Sequence, residues 1–128
     1  MVERRRRNPA TVLRGKRIGF IGVGTMGHGL IRGLIACGMR PRSIVAADPR
    51  SAARRRVGRL GVRTTLRNED VARTADVLVL AVKPQEIGSV LEGLSPQIDR
   101  RTTVISIAAG VTLRALEARL PRVPIVRV

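Results

Sequence analysis

The sequence has no tryptophan and no tyrosine, and Phe20 is its only aromatic residue. A catalytic tyrosine of the kind some reductases use is thereby excluded. The bases of a single-stranded nucleic acid would find almost no ring to stack on. Cys37 is the only cysteine and His28 the only histidine. No intramolecular disulfide can form, and one cysteine with one histidine makes no ligand set for a metal. Acidic residues are scarce too: 9 stand against 25 basic ones, for a net charge of +16. No uninterrupted apolar run nears the roughly 20 residues that span a bilayer. Neither a metal nor a membrane is expected as a partner.

What the chain does have is aliphatic. Hydrophobic residues make up 44% of its 128 residues, enough for one globular domain with a sizeable core. Of the 25 basic residues, 23 are arginine. Such a surplus reads either as a nucleic-acid footprint or as a compositional bias toward arginine. The shortage of aromatics favours the bias, so nucleic acid is not an expected partner. Under both readings the positive field attracts polyanions. The N-terminus imitates a lipoprotein signal, with Arg4-Arg5-Arg6-Arg7, an uncharged stretch over 18–31 and Leu34-Ile35-Ala36-Cys37. The stretch is rich in glycine and Arg32 interrupts its end, which sets that reading aside. The expected location is the cytoplasm.

Residues 1–15, punctuated by Asn8-Pro9 and Gly15, read as a disordered basic arm. From there strands and helices alternate. Strands are expected over about 17–21, 43–47, 62–65, 76–82, 103–107 and 125–128. The continuous apolar run at 76–82 suits a strand covered on both faces. Helices are expected between them. The first has Met26, Leu30, Ile31, Leu34 and Ile35 on its inner face and Cys37, as a small buried thiol, near its end. The others cover about 51–60, 68–74, 86–94 and 112–120. Gly61 suits a C-cap, and Asn68 and Thr112 suit N-caps. This alternation predicts an α/β fold, a Rossmann-like doubly wound parallel sheet forming a single domain over 16–128.

Between the first strand and the first helix lies Gly22-Val23-Gly24-Thr25-Met26-Gly27. In a G-x-G-x-x-G at such a corner the first glycine permits the tight turn. The second admits a pyrophosphate close to the backbone, and the third lets helix and strand pack closely. The helix start then offers free N–H groups and a positive dipole end to phosphates. Asp48 follows Ile44-Val45-Ala46-Ala47 and lies 21 residues beyond Gly27. An acid there usually hydrogen-bonds the adenosine ribose. Ligands of such sheets bind at the carboxyl ends of the strands. Residues 22–27, Asp48-Pro49-Arg50, Lys83-Pro84 and Ala108-Ala109-Gly110 are therefore expected along one rim. Thr25 suits a cap or a phosphate contact. Lys83 suits an electrostatic contact to a ligand or a plain surface position. His28 is more simply a helix residue than a phosphate ligand, and Gly29 and Gly33 more simply permit close helix packing.

Three phrases together resemble pyrroline-5-carboxylate reductase. They are Ile18-Gly19-Phe20-Ile21-Gly22-Val23-Gly24-Thr25-Met26, Leu80-Ala81-Val82-Lys83-Pro84-Gln85 and Val104-Ile105-Ser106-Ile107-Ala108-Ala109-Gly110-Val111-Thr112. Val126-Arg127-Val128 is similar to the last strand of that family's cofactor domain, and the spacing agrees over 17–128. The first phrase is shared by many dehydrogenases; the other two are more specific. The resemblance implies an oxidoreductase of proline biosynthesis that reduces the cyclic imine 1-pyrroline-5-carboxylate to L-proline with hydride from NADPH or NADH. It implies that Ile21, Gly22, Val23, Gly24, Thr25, Met26 and Gly27 surround the pyrophosphate. Asp48, Pro49 and Arg50 would meet the adenosine ribose, and Asn68 the adenine side. Ala81, Val82, Lys83, Pro84, Ile107, Ala108 and Ala109 would line the ribose and nicotinamide. No catalytic side chain is expected here, since the cofactor carries the hydride and the protein mainly positions it.

Asp48 favours the free 2′-hydroxyl of NADH, while Arg50, Arg54 and Arg55 can pair with the 2′-phosphate of NADPH. NADPH is the expected cofactor and NADH the alternative. The family also has a helical domain that dimerises and supplies most of the substrate pocket, and this sequence ends before it. The expectation is a fragment or a truncated gene: it binds cofactor weakly, does not turn over, and meets substrate or forms a homo-oligomer only where that domain is present. Two other readings compete. One is the cofactor half of another NADP-dependent oxidoreductase, of the F420-dependent NADP reductase or 3-hydroxyacid dehydrogenase type, against which the second and third phrases speak. The other is a non-catalytic binding module that uses the Arg4-Arg5-Arg6-Arg7 arm.

Overall fold

Six short strands and five helices alternate along residues 13–128, the part of the chain that a computed structural model describes. The strands are β1 (Ile18–Ile21), β2 (Ile44–Ala47), β3 (Arg63–Thr65), β4 (Val77–Leu80), β5 (Thr103–Ser106) and β6 (Ile125–Arg127). The helices are α1 (Thr25–Ala36), α2 (Ser51–Gly58), α3 (Asn68–Thr74), α4 (Ile87–Leu94) and α5 (Leu113–Arg119). All strand pairs are parallel and the order is β3-β2-β1-β4-β5-β6. The chain walks outward from β1 to β3, then returns to the other side of β1 and walks out to β6. That reversal opens a crevice beyond the carboxyl ends of β1 and β4. The register puts Ile21 opposite Ala47 on one side and Leu80 on the other, so three strands end level beneath it.

Parallel strands need both faces covered, and the alternation of side chains divides the core accordingly. Ile18 and Phe20 of β1, Ile44 and Ala46 of β2 and Val79 of β4 point to one face, where Ile31 of α1 and Val57 of α2 meet them. Ile21, Ala47, Leu78, Leu80 and Val104 point to the other, beneath Val71 of α3, Leu91 of α4 and Leu116 of α5. Each of these large side chains, fully buried, contributes about 1.5–3 kcal/mol. Thr112 caps α5 as expected, its Oγ1 accepting from Ala115 N–H at 3.1 Å.

Three expectations give way to geometry. Within α1, Met26 and Leu30 are exposed, and the line that faces the sheet runs through Gly27 and Ile31, with Leu34 and Ile35 half-buried. The apolar residues of α1 spread over a wide arc, and the closest approach at Gly27 decides which part of it turns inward. Cys37 is exposed, not buried. Gly38, at φ +100°, closes α1 with its N–H on Ile35 O and the next N–H, of Met39, on Leu34 O. This is a Schellman ending, and it sends Met39 rather than Cys37 into the core. Asn68 is the first residue of α3 and does not cap it. Thr65 does the local work: its hydroxyl accepts from Arg67 N–H at 3.1 Å and donates to Asp70 Oδ2 at 3.0 Å. The basic arm lies mostly outside the described residues. Its last part, 13–15, forms a turn, and Leu13 packs on the α1–α2 side of the core because it is apolar and adjoins β1.

Candidate functional site

A cavity of about 810 Å³ opens over the crevice at the carboxyl ends of the strands. Its floor is the β1–α1 corner. Gly22 leaves β1 at φ +89° with its N–H held by Ala47 O at 2.8 Å. A Cβ on Gly22 would stand 2.8 Å from Ala81 O. On the other side of the corner, a Cβ on Gly27 would stand 2.7 Å from Gly22 O. Turn and helix are thus locked together by the absence of side chains. Helix α1 begins with Gly24 as its N-cap, without a side-chain cap and without an acid in its first turn. The first helical N–H to find a backbone partner is that of His28, on Gly24 O at 2.9 Å. The N–H groups before it lie in the first turn, where an α-helix has no acceptor to give them. They and the helix dipole make this end of the cavity a place for an anion.

The walls come from the neighbouring rims. Asp48-Pro49-Arg50 follows β2, Ala81-Val82-Lys83-Pro84 follows β4, Ile107-Ala108-Ala109 follows β5, and Asn68 opens α3; all line the cavity. Their backbones are held in step by ladder bonds that continue past the strands, from Ala81 N–H to Ile21 O at 2.8 Å and from Ile107 N–H to Leu80 O at 3.2 Å. Buried Ser106 accepts from Ala108 N–H through its hydroxyl, at 3.3 Å, and so shapes the last of these turns. Ile21, Gly22, Gly24, Thr25 and Met26 also line it.

Two of the sequence-derived positions stand apart. Val23 is buried in the core, and Gly27 is covered by the α1–strand contact; neither lines the cavity. His28 lies outside it as well, and partial burial followed by the charges of Arg56 and Arg32 lowers its pKa. Four lining residues were not foreseen: Ala47, Glu86, Ser89 and Val90. The last three lie at and just before the start of α4 with i, i+3 and i+4 spacing. That spacing places them on one helical face, so the rim segment after β4 could have been carried one turn further from the sequence.

The side chain of Asp48, expected beside the ribose, makes its hydrogen bonds within the chain. Only 2% of it is exposed, and its carboxylate turns inward. Oδ2 accepts from Val23 N–H at 3.0 Å and from Arg50 Nη2 at 3.0 Å. Oδ1 accepts from Arg50 N–H at 2.9 Å and from Arg50 Nε at 3.1 Å. Burial alone would raise the Asp48 pKa. The hydrogen bonds from the Arg50 side chain, Val23 N–H and Arg50 N–H outweigh it, together with the Arg50 charge, and hold the carboxyl below its ordinary value. Arg54 braces the same turn, its Nη1 donating to Asp48 O at 2.7 Å and Pro49 O at 2.9 Å. Among the described residues no cluster of three His, Cys, Asp or Glu side chains is placed to hold a metal, and no helix is long and apolar enough to cross a membrane.

Known proteins resemble this chain in both sequence and structure. Residues 17–110 match the family described as NADP oxidoreductase coenzyme F420-dependent. The pyrroline-5-carboxylate reductase of Pasteurella multocida is 41% identical over 113 residues, which is 85% of this chain and 41% of that one. A solved pyrroline-5-carboxylate reductase from Coxiella burnetii superposes with a TM-score of 0.84 at 38% identity, covering 88% of this chain and 43% of that one. A Plasmodium falciparum pyrroline carboxylate reductase solved with NADP bound gives 0.70 at 28% identity, covering 88% and 41%. The chain thus spans about two fifths of the length of these relatives. The chain belongs to the family of NADP oxidoreductases described as coenzyme F420-dependent, and pyrroline-5-carboxylate reductases are among its relatives in sequence and in structure.

Proposed function

We propose that this chain is the nicotinamide-dinucleotide-binding domain of a pyrroline-5-carboxylate reductase, the oxidoreductase that reduces 1-pyrroline-5-carboxylate to L-proline in proline biosynthesis, with NADPH as its cofactor. The observation that carries the reading is the uncapped start of α1 beneath the strand ends, reached through a corner without side chains at Gly22 and Gly24. A diphosphate needs N–H donors, positive potential and close backbone approach, and this corner supplies all three. On either side the cavity has rims of the right chemistry. Arg50 and Asn68 stand toward the β2–β3 side for the adenosine half. The small turn at Ala108-Ala109 stands past β5 for the flat nicotinamide half. When bound, the cofactor supplies the hydride; the residues of this chain hold and orient it. The cyclic imine is met with the further part of the reductase, and so is self-association. The reading places the protein in the cytoplasm, where nicotinamide dinucleotides circulate.

Titrating the chain with NADPH tests the reading directly. Amide resonances of residues 22–27 shift saturably, and those of Ala81 and Ala108 move with them. Resonances unmoved by either NADPH or NADH in a folded sample would refute the assignment.

A further inference from the structure

The carboxylate at the end of β2 is the group expected to accept the ribose hydroxyls of the cofactor, yet it has no acceptor to spare. A carboxylate offers about four lone-pair positions, and Asp48 receives four hydrogen bonds from its own chain. It is buried, while the Arg50 side chain that forks onto it is 63% exposed and lines the cavity. Arg50 Nη2 lies against the glycine corner, 3.4 Å from where a Cβ on Gly24 would be. Nη1 has no partner among the described residues. What the end of β2 presents to a ligand is therefore a fixed cation, with the carboxylate behind it.

We propose that Arg50 is the residue that selects the cofactor, through its free N–H groups and the adenosine 2′-phosphate, and that Asp48 is a positioning residue that aims it and does not touch the ribose. The inference rests on the dinucleotide reading above. Asp48 ties Arg50 to the Val23 amide, so the guanidinium and the glycine corner move as one unit. Arg54 fixes the carbonyls of the same turn and adds a second positive charge behind it. A 2′-phosphate meeting this surface gains a charge-assisted hydrogen bond. A free 2′-hydroxyl gains little, because the acceptor it would use is occupied.

The two possible roles of Asp48 give opposite signs when it is neutralised, and this makes the test. Dissociation constants of the full chain are measured by calorimetry for NADPH and NADH, in wild type, Arg50→Ala, Asp48→Asn and the double variant. Arg50→Ala weakens NADPH on the order of 10- to 100-fold and leaves NADH nearly unchanged. Asp48→Asn also weakens NADPH, by a smaller factor, because Arg50 loses its tether. The double variant is no weaker than Arg50→Ala alone, since both substitutions act through one contact. A carboxylate that served the ribose would behave otherwise: Asp48→Asn would weaken NADH and strengthen NADPH. That result, or an Arg50→Ala variant with an unchanged NADPH-to-NADH ratio, overturns the proposal and leaves the dinucleotide reading intact. Wild type that binds neither cofactor overturns both. Arg50 is exposed, so its variant keeps the comparison readable even where Asp48→Asn folds poorly.

Discussion

Alanine at Gly22 abolishes measurable dinucleotide binding and lowers the stability of the fold by about 2–4 kcal/mol. The two effects have one origin. Gly22 sits at φ +89°, a conformation that costs an L-residue about 1–2 kcal/mol. Its missing Cβ would also stand 2.8 Å from Ala81 O and 3.0 Å from Ala81 C, which are backbone atoms of the neighbouring rim and cannot turn aside as a side chain can. Something must shift, and the candidates are the corner itself or the end of β4. Either shift spreads the crevice in which the diphosphate would lie. Gly29 is the control. It is exposed on α1 and a Cβ there meets nothing within 4 Å. Alanine at Gly29 raises stability by up to about 1 kcal/mol through helix propensity and leaves binding alone. Denaturant midpoints and NADPH titrations of the two variants check the pair. A Gly22→Ala protein with wild-type midpoint and affinity would remove the reason for glycine at this corner.

The elements and the rim were legible because they depend on local rules. A strand, a G-x-G-x-x-G and an amphipathic helix in succession fix a β–α corner. The run over 76–82 announced a strand covered on both sides, and β4 is buried from Leu78 to Leu80. Sixteen of the eighteen positions expected to meet cofactor line one cavity, because strand ends in a parallel sheet share an edge. What stayed hidden depends on orientation about an axis or on a choice between partners. Periodicity places Met26 and Leu30 on an apolar arc, but the contact of Gly27 with the β1 turn decides which degrees of that arc are buried. Cys37 and Met39 differ by two residues, and only the Schellman ending of α1 tells which enters the core. Val23 carries its amide, not its side chain, to the site's support, so its place in the motif does not make it a lining residue. Asp48 was readable as the acid at the end of β2. That it would spend all its acceptors on Val23 and Arg50 was not, since the same spacing serves a ribose equally well.

Asp48→Asn therefore carries the second large effect, and pH gives it a signature. The substitution keeps the shape and removes the charge. An amide N–H₂ then faces donors on at least one side, either Arg50 or the buried Val23 N–H. At neutral pH this costs about 1.5–3 kcal/mol, the range for hydrogen bonds to a charged group. Asp48 is held below its ordinary pKa in the folded chain, whereas in the unfolded chain it titrates at about 3.9. Between those two values the unfolded state binds the proton and the folded state does not, so stability rises with pH. The Asp48 contribution is complete above the unfolded value and is lost as pH falls through the folded one. The difference in unfolding free energy between wild type and Asp48→Asn is accordingly flat from neutrality to about pH 5. It narrows only on further acidification. Urea unfolding of both proteins across that range measures it, with the remaining acids cancelling in the difference. A gap that stays constant into strong acid would mean that the Asp48 charge contributes nothing to holding the glycine corner and Arg50 together. A gap that widens there would mean that burial prevails over the Arg50 and Val23 contacts and that the carboxyl titrates above its ordinary value.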